Sequence, residues 1–490
     1  MFRYLGLRQA FPHIIEPAGP VVYYGLILAA VGFSVFLILR RLRQRGYGGK
    51  QLTVILLFTL FAAFPAGFAA SKAAAMFYSP PDFWSLRLLA EQALSGNSHT
   101  YHAVVIVSGL LLLGFFKAMR YKAAEILDTV FLYLPAAHAL GRTGCLFIGC
   151  CWGRYTRLDF FGLCTVDFVN PVPLYSILAN ILIFLGLRRV YNGVYTANRP
   201  AEEERRLAGS AAGMYLVLYG SVRIALEVFR PVQEVVLGFT QAQAAMAGFA
   251  AAGGVILVKK ALNLRQIKTE RDRREDSDND LSGIFSLAGL VAVYLIIFAV
   301  TLNLKEVGVL PWPFERAASL GGAFFAVFYY VPFLFFPAVC FFWLKASGMG
   351  IRDAFRAPVF HPVFVLAVAV SIGYSVYLLF PGIAGRGPAT LWIPVAVLST
   401  MNAAGEEFAF RHAFLNMFAH AGYGKVSANG FQGILYGLPH FVIGGAAFGI
   451  FAVLYGWLLG WVRYRSASLI PCIICHFLID IGCIGAPMLY

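Results

Sequence analysis

The chain is 490 residues long, 60% hydrophobic, 16% aromatic and only 13% charged. A soluble domain is about one-quarter charged, so the composition excludes a water-soluble globular enzyme, a disordered protein and a nucleic-acid binder. Lysine and arginine outnumber aspartate and glutamate by 39 to 24, net +15, yet the charges sit in short runs between apolar stretches, as in the cytoplasmic loops of a polytopic membrane protein. Met1 to Pro20 carries charges and prolines and no apolar core, so no cleavable signal peptide is expected.

An apolar run of about 20 residues spans a bilayer. The first half has such runs near 21–39, 52–70, 103–116, 127–147, 172–187, 209–229 and 241–258. The run at 103–116 is short and needs extension at both ends. Basic residues follow every odd-numbered span: Arg40, Arg41, Arg43, Arg45 and Lys50, then Lys117, Arg120 and Lys122, then the stretch Arg188 to Arg206, then Lys259 and Lys260. Basic loops stay in the cytoplasm, which puts the amino terminus outside and the protein in the bacterial inner membrane.

Two segments of this half carry charge at or within spans. Gly141-Arg142-Thr143-Gly144-Cys145-Leu146-Phe147-Ile148-Gly149-Cys150-Cys151-Trp152-Gly153-Arg154 closes the fourth span. Tyr219, Arg223 and Glu227 are spaced by four along the sixth, a polar stripe on an apolar helix, with Arg230 beyond them. Arginine offers a planar fork of donors that suits phosphate, so arginines from two helices are candidates to hold a phospholipid head group. The alternative for Arg223 and Glu227 is an ion pair that only fixes helix packing.

Together these segments resemble the prolipoprotein diacylglyceryl transferases, over roughly residues 12–260. GRTGCLFIGCCWGR is similar to that family's GRxGNFxNGExxGR signature, LYGSVRIALEVFRP to its LYGxxRFxxExFR segment, and NPVPLYS to its HPxQLYE. The resemblance implies seven spans and an outside amino terminus. It also implies transfer of diacylglycerol from a phosphatidylglycerol-like phospholipid to the cysteine thiol of a membrane-inserted protein, with release of glycerol phosphate. Arg142, Tyr219, Arg223 and Glu227 match motif residues by position, and Tyr24 matches the first-span tyrosine. Cys145 stands where the pattern has Asn, and Cys150 where it has Glu. The usual His-Gly-Gly is reduced to His102-Ala103-Val104, with His99 as a rival for the base. This half therefore reads as a divergent branch on the same fold and lipid cavity, with an altered donor or acceptor, or inactive. Adjacent Cys150 and Cys151 are poor partners for each other, which leaves pairing with Cys164 or metal binding open; Cys145 reads as a small packing residue.

Residues 259–280, KKALNLRQIKTERDRREDSDND, are dense in both signs of charge and are expected to be a cytoplasmic linker. That divides the chain into a membrane domain at 1–260, a linker at 261–281 and a second membrane domain at 282–490.

The second half has apolar runs near 282–302, 320–344, 361–380, 391–419, 431–444, 446–462 and 467–485. The 391–419 run is long and Gly405-Glu406-Glu407 interrupts it, leaving one helix or two, and hence seven or eight spans. Lys345, Arg352, Arg356, Lys425, Arg463 and Arg465 mark inside loops. The expected fold class is an all-α polytopic membrane protein with two helical transmembrane domains.

An ionisable residue inside a span is costly and marks a functional site by default. Three clusters do this in the second half. In Gly405-Glu406-Glu407-Phe408-Ala409-Phe410-Arg411, Glu407 and Arg411 share a helix face and neutralise each other. Glu406, rotated by about 100°, keeps a free carboxylate. The others are Tyr436-Gly437-Leu438-Pro439-His440 and His476-Phe477-Leu478-Ile479-Asp480. A carboxylate and a histidine from different helices can activate water while a second polar pair stabilises the oxyanion. The alternative is a set of buried ion pairs that hold helices together.

EEFAFR, YGLPH and HFLID resemble the EExxxR, FxxxH and HxxxN-or-D motifs of the CAAX-processing and bacteriocin-processing (CPBP) intramembrane proteases, over roughly residues 320–485. Tyr436 replaces the usual Phe, and Asp480 stands where many members carry Asn. The resemblance implies that Glu406 and His440 activate water, that Glu407 and Arg411 form a supporting pair, and that His476 and Asp480 form the oxyanion side. Glu406, His440 and His476 are also a possible zinc set; metal-free, glutamate-type hydrolysis with no cofactor is the preferred reading. Cys472-Ile473-Ile474-Cys475-His476 matches the haem-attachment pattern. It lies inside an apolar span and its histidine belongs to the third motif, so haem is set aside.

A thiol-lipidating fold joined to a protease points to one pathway: lipidation of a cysteine in a membrane-inserted sorting signal, then cleavage near it. Fusion raises the effective concentration of the intermediate. The alternatives are an active protease with a non-catalytic lipid-binding half, or a non-enzymatic scaffold or bacteriocin-immunity protein.

Overall fold

The structure, a computed structural model, describes residues 12–78, 101–160, 164–196, 199–230, 239–270, 277–306, 319–380 and 389–489. Among these residues, 11 helices are long and apolar enough to cross a membrane, with a shorter apolar helix at Ala103–Ala118. The protein is a multi-pass, helical membrane protein. Its contacts divide it into two compact units: the chain up to Arg154 with Val169–Asp278, and Asn279 onward together with residues 155–168.

The first unit holds α1 (Pro12–Gln44), α2 (Gly49–Phe58), a π turn (Thr59–Ala63), α3 (Phe64–Tyr78), α4 (Tyr101–Ala118) and α5 (Ala123–Ile148). After them come α6 (Val172–Val194), α7 (Ala201–Leu207), α8 (Ser210–Glu227) and α9 (Gln241–Glu270). Each expected apolar run falls on these helices, the 52–70 run on α2, the π turn and α3 together, and α4 extends the 103–116 run at both ends. Large apolar side chains such as Leu28, Phe61 and Val255 are 72%, 77% and 73% exposed, as faces turned to lipid require.

Helix α8 sits at the centre of this unit and packs on α9 through small residues, the usual route to close helix approach in lipid. A Cβ on Gly220 would lie 2.7 Å from the Met246 carbonyl oxygen, and one on Gly253 would lie 2.6 Å from that of Gly213. The amino end of α8 is capped from another helix. Asp128 on α5 accepts hydrogen bonds from the Gly209 and Ala212 amides at 2.7 and 2.8 Å and from the Tyr195 hydroxyl at 2.8 Å. A buried carboxylate is tolerable there because orphan amides at a helix start satisfy it.

Two differences from expectation arise near the middle of the chain. A small two-stranded sheet, β1 (Tyr155–Phe160) and β2 (Cys164–Val169), is added to the all-α fold. The expected linker is largely helical: α9 runs to Glu270 and α10 (Ser277–Glu306) starts before it ends, while 271–276 lie outside the described residues. Lys, Arg, Gln and Glu are good helix formers and opposite charges one turn apart support a helix, so the apolar span continues as a charged extension.

The second unit continues with α11 (Leu320–Tyr330), a 3-10 turn (Val331–Leu334), α12 (Phe335–Ala346), α13 (Pro362–Leu379), α14 (Trp392–Glu407), a π segment (Phe408–Phe414) and α15 (Leu415–His420). It ends with α16 (Lys425–Ser466), α17 (Ile470–Cys483) and α18 (Gly485–Leu489). The 391–419 question resolves to one continuous helix, because Gly405 is a packing glycine rather than a break: its Cβ would lie 3.1 Å from Pro337. The register change is absorbed by the π segment, a feature common at functional sites.

Helix α16 reverses at Gly445, whose φ of 77° and ψ of −173° suit glycine alone. Its two limbs are the runs expected at 431–444 and 446–462. They run antiparallel and are tied by Gln432 Nε2 to the Gly456 carbonyl at 2.8 Å and Asn429 Nδ2 to the Trp457 carbonyl at 2.9 Å. Gly437 lies against Val453, where a Cβ would overlap the valine side chain.

Candidate functional site

The carboxy-terminal unit brings its three polar clusters to one cavity of about 310 Å³, lined by Asn402, Glu406, Tyr436, His440, His476 and Asp480. The rest of the lining is mostly apolar, including Ile443, Phe448, Phe451, Ile479 and Ile484. Apolar walls with a few converging polar groups are the common form of a binding site.

The polar side chains come in pairs from three helices: Asn402 and Glu406 from α14, Tyr436 and His440 from α16, and His476 and Asp480 from α17. Glu407 and Arg411 form the expected pair, Nη1 to Oε1 at 3.0 Å, with both side chains fully buried. The Arg411 guanidinium also lies 4.0 Å from the centre of the Tyr436 ring, and Gly456 leaves room for it. Glu407 does more than neutralise the arginine: its Oε1 is also 2.7 Å from His476 Nδ1. The ion pair thereby fixes the ring of His476 and turns Nε2 toward the cavity.

Around that Nε2 lie the Tyr436 hydroxyl at 3.4 Å, Asn402 Nδ2 at 3.5 Å, Asp480 Oδ2 at 3.6 Å and Glu406 Oε2 at 3.7 Å. Among the described residues, Glu406 Oε2 has no hydrogen-bond partner. His440 Nδ1 donates to the Tyr436 carbonyl at 2.9 Å, so Nε2 of the neutral ring carries the lone pair. The ligand atoms of Glu406, His440 and His476 do not gather within 4.8 Å of one another; among the described residues only Cys145, Cys150 and Cys151 do so.

Sequence reasoning missed two residues here. Asn402 Nδ2 donates to Asp480 Oδ2 at 2.9 Å, and Tyr330 donates its hydroxyl proton to Asn402 Oδ1 at 2.7 Å. Asn402 lies four residues before Glu406 on the same helix, a one-turn spacing that was available as a signal. Cys472 and Cys475 are buried, and Cys472 donates to the Leu459 carbonyl at 3.4 Å, a packing role.

In the amino-terminal unit, Arg142 on α5 donates through Nε to His138 Nε2 at 3.1 Å. His138 lies in the field of both Arg142 and Arg223. Tyr219 lies in the field of Arg142, Arg223, Arg230 and Glu227, with its ring 5.5 Å from that of His138 and 5.2 Å from that of Tyr215. Arg223 and Glu227 form an ion pair, the alternative raised for them from the sequence, and Arg230 Nε is 3.8 Å from Glu227 Oε2. Two guanidinium groups, those of Arg223 and Arg230, thus meet the single carboxylate of Glu227, and Arg142 lies close enough to bear on Arg230. Arg142 and Arg223 share one locale, since both bear on His138.

The signature's end is pinned beside this cluster by backbone bonds. Gly153 donates to the Asn170 carbonyl at 2.8 Å and Arg154 to the Phe229 carbonyl at 2.7 Å. A Cβ on Gly153 would collide with that Phe229 carbonyl. His138 is the residue missed here, one turn before Arg142. The side chains of Tyr24 and His102, and the whole of His99, lie outside the described residues, as does the Cys164 side chain. Among the described residues, Cys150 and Cys151 have no disulfide partner.

Comparison with known proteins matches residues 12–259 to prolipoprotein diacylglyceryl transferase and residues 388–482 to type II CAAX prenyl endopeptidase Rce1-like. Phosphatidylglycerol–prolipoprotein diacylglyceryl transferase 2 of Clostridium perfringens is 24% identical over 272 residues, covering 51% of this chain and 96% of that protein. The corresponding transferase of Erwinia tasmaniensis is 26% identical over 257 residues, covering 46% of this chain and 83% of its own. No solved structure matches the chain. With a transferase match over its first half and an endopeptidase match within its second, the chain belongs to the prolipoprotein diacylglyceryl transferase family and carries a CPBP-type protease domain joined to it.

Proposed function

We propose that this protein lipidates a cysteine of a membrane-inserted sorting signal from a phosphatidylglycerol-type donor and then cleaves the peptide bond near that cysteine. It acts in the bacterial inner membrane with its amino terminus outside. The observation that carries the reading is the convergence of Glu406, His440, His476 and Asp480 on one cavity in a chain that also matches a thiol-lipidating family.

For lipidation, Arg142 and Arg223 bind the phosphate of the donor. The substrate sulfur forms a bond to the glycerol carbon, the bond from that carbon to the phosphate oxygen breaks, and glycerol phosphate leaves. His102 is the proposed acceptor of the thiol proton, and Tyr24, Tyr219 and Glu227 are proposed to act alongside the two arginines.

For cleavage, His440 Nε2 and the Glu406 carboxylate orient a water at the scissile carbonyl. Glu406 takes a proton as the water oxygen bonds to the carbonyl carbon, and returns it to the amine as the C–N bond breaks. The oxyanion rests on the polar wall of His476, Tyr436 and Asn402, whose donors are fixed before substrate arrives. Asp480 contributes by holding Asn402, so it need not carry a proton itself. No step requires a metal.

The reading is tested by Glu406→Ala, with mass spectrometry of membrane proteins from cells carrying the wild-type chain or the variant. The expected result is substrate that is lipidated but uncut. Normal cleavage in that variant removes Glu406 from the mechanism. A second reading, an active protease with a lipid-binding but non-catalytic first half, is favoured by Cys145 and Cys150 at signature positions. It predicts that replacing Arg142 and Arg223 changes the lipid state of no protein.

A further inference from the structure

Cys145 lies in the last turn of α5 and is buried. The helix ends at Gly149, with φ of 73°, and the amides of Gly149 and Cys150 both bond to the Cys145 carbonyl, at 3.0 and 3.1 Å. Cys151 then takes a φ of 63°, in the left-handed region that a side chain disfavours. The turn folds the chain back so that the sulfurs of Cys145, Cys150 and Cys151 all lie within 4.8 Å of one another. Strained backbone of this kind persists where the surroundings over-determine it, and it clusters at functional sites.

A disulfide between the neighbours Cys150 and Cys151 is poorly suited to this geometry. Consecutive Cα atoms are about 3.8 Å apart, below the range of about 4.4–6.8 Å that disulfides use. Three sulfurs around one thiophilic ion fit better. Zinc at about 2.3 Å from each sulfur needs sulfurs roughly 3.8 Å apart, within the limit found here.

We propose that Cys145, Cys150 and Cys151 form a three-thiolate site for a thiophilic d10 cation, zinc or copper(I), with the remaining coordination position open to an incoming thiol. Each cysteine gives its proton to solvent as its sulfur binds the ion. Three protein ligands with an open fourth position is the arrangement of catalytic rather than structural zinc sites. An ion placed beside Arg142 would hold an acceptor thiol as its thiolate next to the guanidinium assigned to the donor phosphate. That last point rests on the transferase reading above; the metal site does not.

The full chain is purified in detergent with reductant, freed of reductant without air, and titrated with cadmium(II) while sulfur-to-cadmium charge-transfer absorption is followed. One ion per chain is expected, with the band lost in the Cys145→Ser/Cys150→Ser/Cys151→Ser variant and affinity lowered at least tenfold in each single variant. Cys472→Ser/Cys475→Ser is expected to leave the band in place. Adding N-acetylcysteine methyl ester is expected to strengthen the band. No band, a band that survives the triple variant, or a disulfide within the trio overturns the site; an unchanged band on adding the thiol overturns the open position. Arg223→Lys is expected to bind cadmium normally, so failure of the transferase reading and failure of the metal site are read separately.

Discussion

His476 is clamped by Glu407: its Nδ1 lies 2.7 Å from Glu407 Oε1, the same oxygen that Arg411 reaches at 3.0 Å. One buried carboxylate thus holds an arginine and a histidine, and the histidine is the residue that faces the cavity. Orientation of a functional histidine through its other nitrogen is a recurring device.

Glu407→Gln keeps an acceptor for His476 but removes the charge that balances Arg411. Cleavage should fall by about 10–100-fold, the usual cost of losing an outer-shell partner. The melting temperature should also fall, because a buried guanidinium is left uncompensated. Single-turnover cleavage and thermal unfolding in detergent measure the two effects. Unchanged values for both would remove the clamp from the argument.

Asp480 accepts a hydrogen bond from Asn402. An asparagine at 480 can still accept through its side-chain oxygen, so Asp480→Asn should retain cleavage within about tenfold of wild type. Asp480→Ala releases Asn402 and should cost roughly 10²–10³-fold, the range for loss of a preorganised oxyanion donor; Asn402→Ala should match it. If Asn at 480 is as damaging as Ala, the charge itself is needed.

Cleavage should persist through prolonged treatment with a strong chelator, because Glu406 and His440 supply the base and the orientation for water. Loss of cleavage that zinc restores would move Glu406, His440 and His476 into a metal site.

Arg142→Lys and Arg223→Lys keep the charge but lose the planar fork, and lysine is a poor substitute where phosphate is held by two donors at once. Each should reduce lipidation by at least about tenfold, the effect of losing roughly 1.4 kcal/mol. Cleavage of substrate that already carries its lipid should be unaffected. Mass spectrometry of the substrate cysteine separates the two steps.

Much of the fold was legible because hydrophobic span length is written directly in the sequence. The apolar runs at 431–444 and 446–462 proved to be the two limbs of α16, separated at Gly445. The runs of the first half likewise coincide with α1–α6, α8 and α9. The charged stretch after Leu257 was harder, because mixed charge serves a linker and an exposed helix equally well. The two-stranded sheet at 155–169 falls between spans and carries no hydropathy signal strong enough to mark it.

The sequence by itself determined where the long apolar helices lie and that Glu407 and Arg411 share a helix face, since these follow from the period and polarity of single segments, while its short motifs carried the family resemblances. Tertiary packing alone decided that Glu407 also holds His476, that Asn402 stands between Tyr330 and Asp480, and that three cysteines meet at the end of α5. Helical periodicity says which residues lie on the same side of one helix. It contains no information about which faces of different helices meet, because that depends on glycine contacts, a π segment and a reversal at one residue far along the chain.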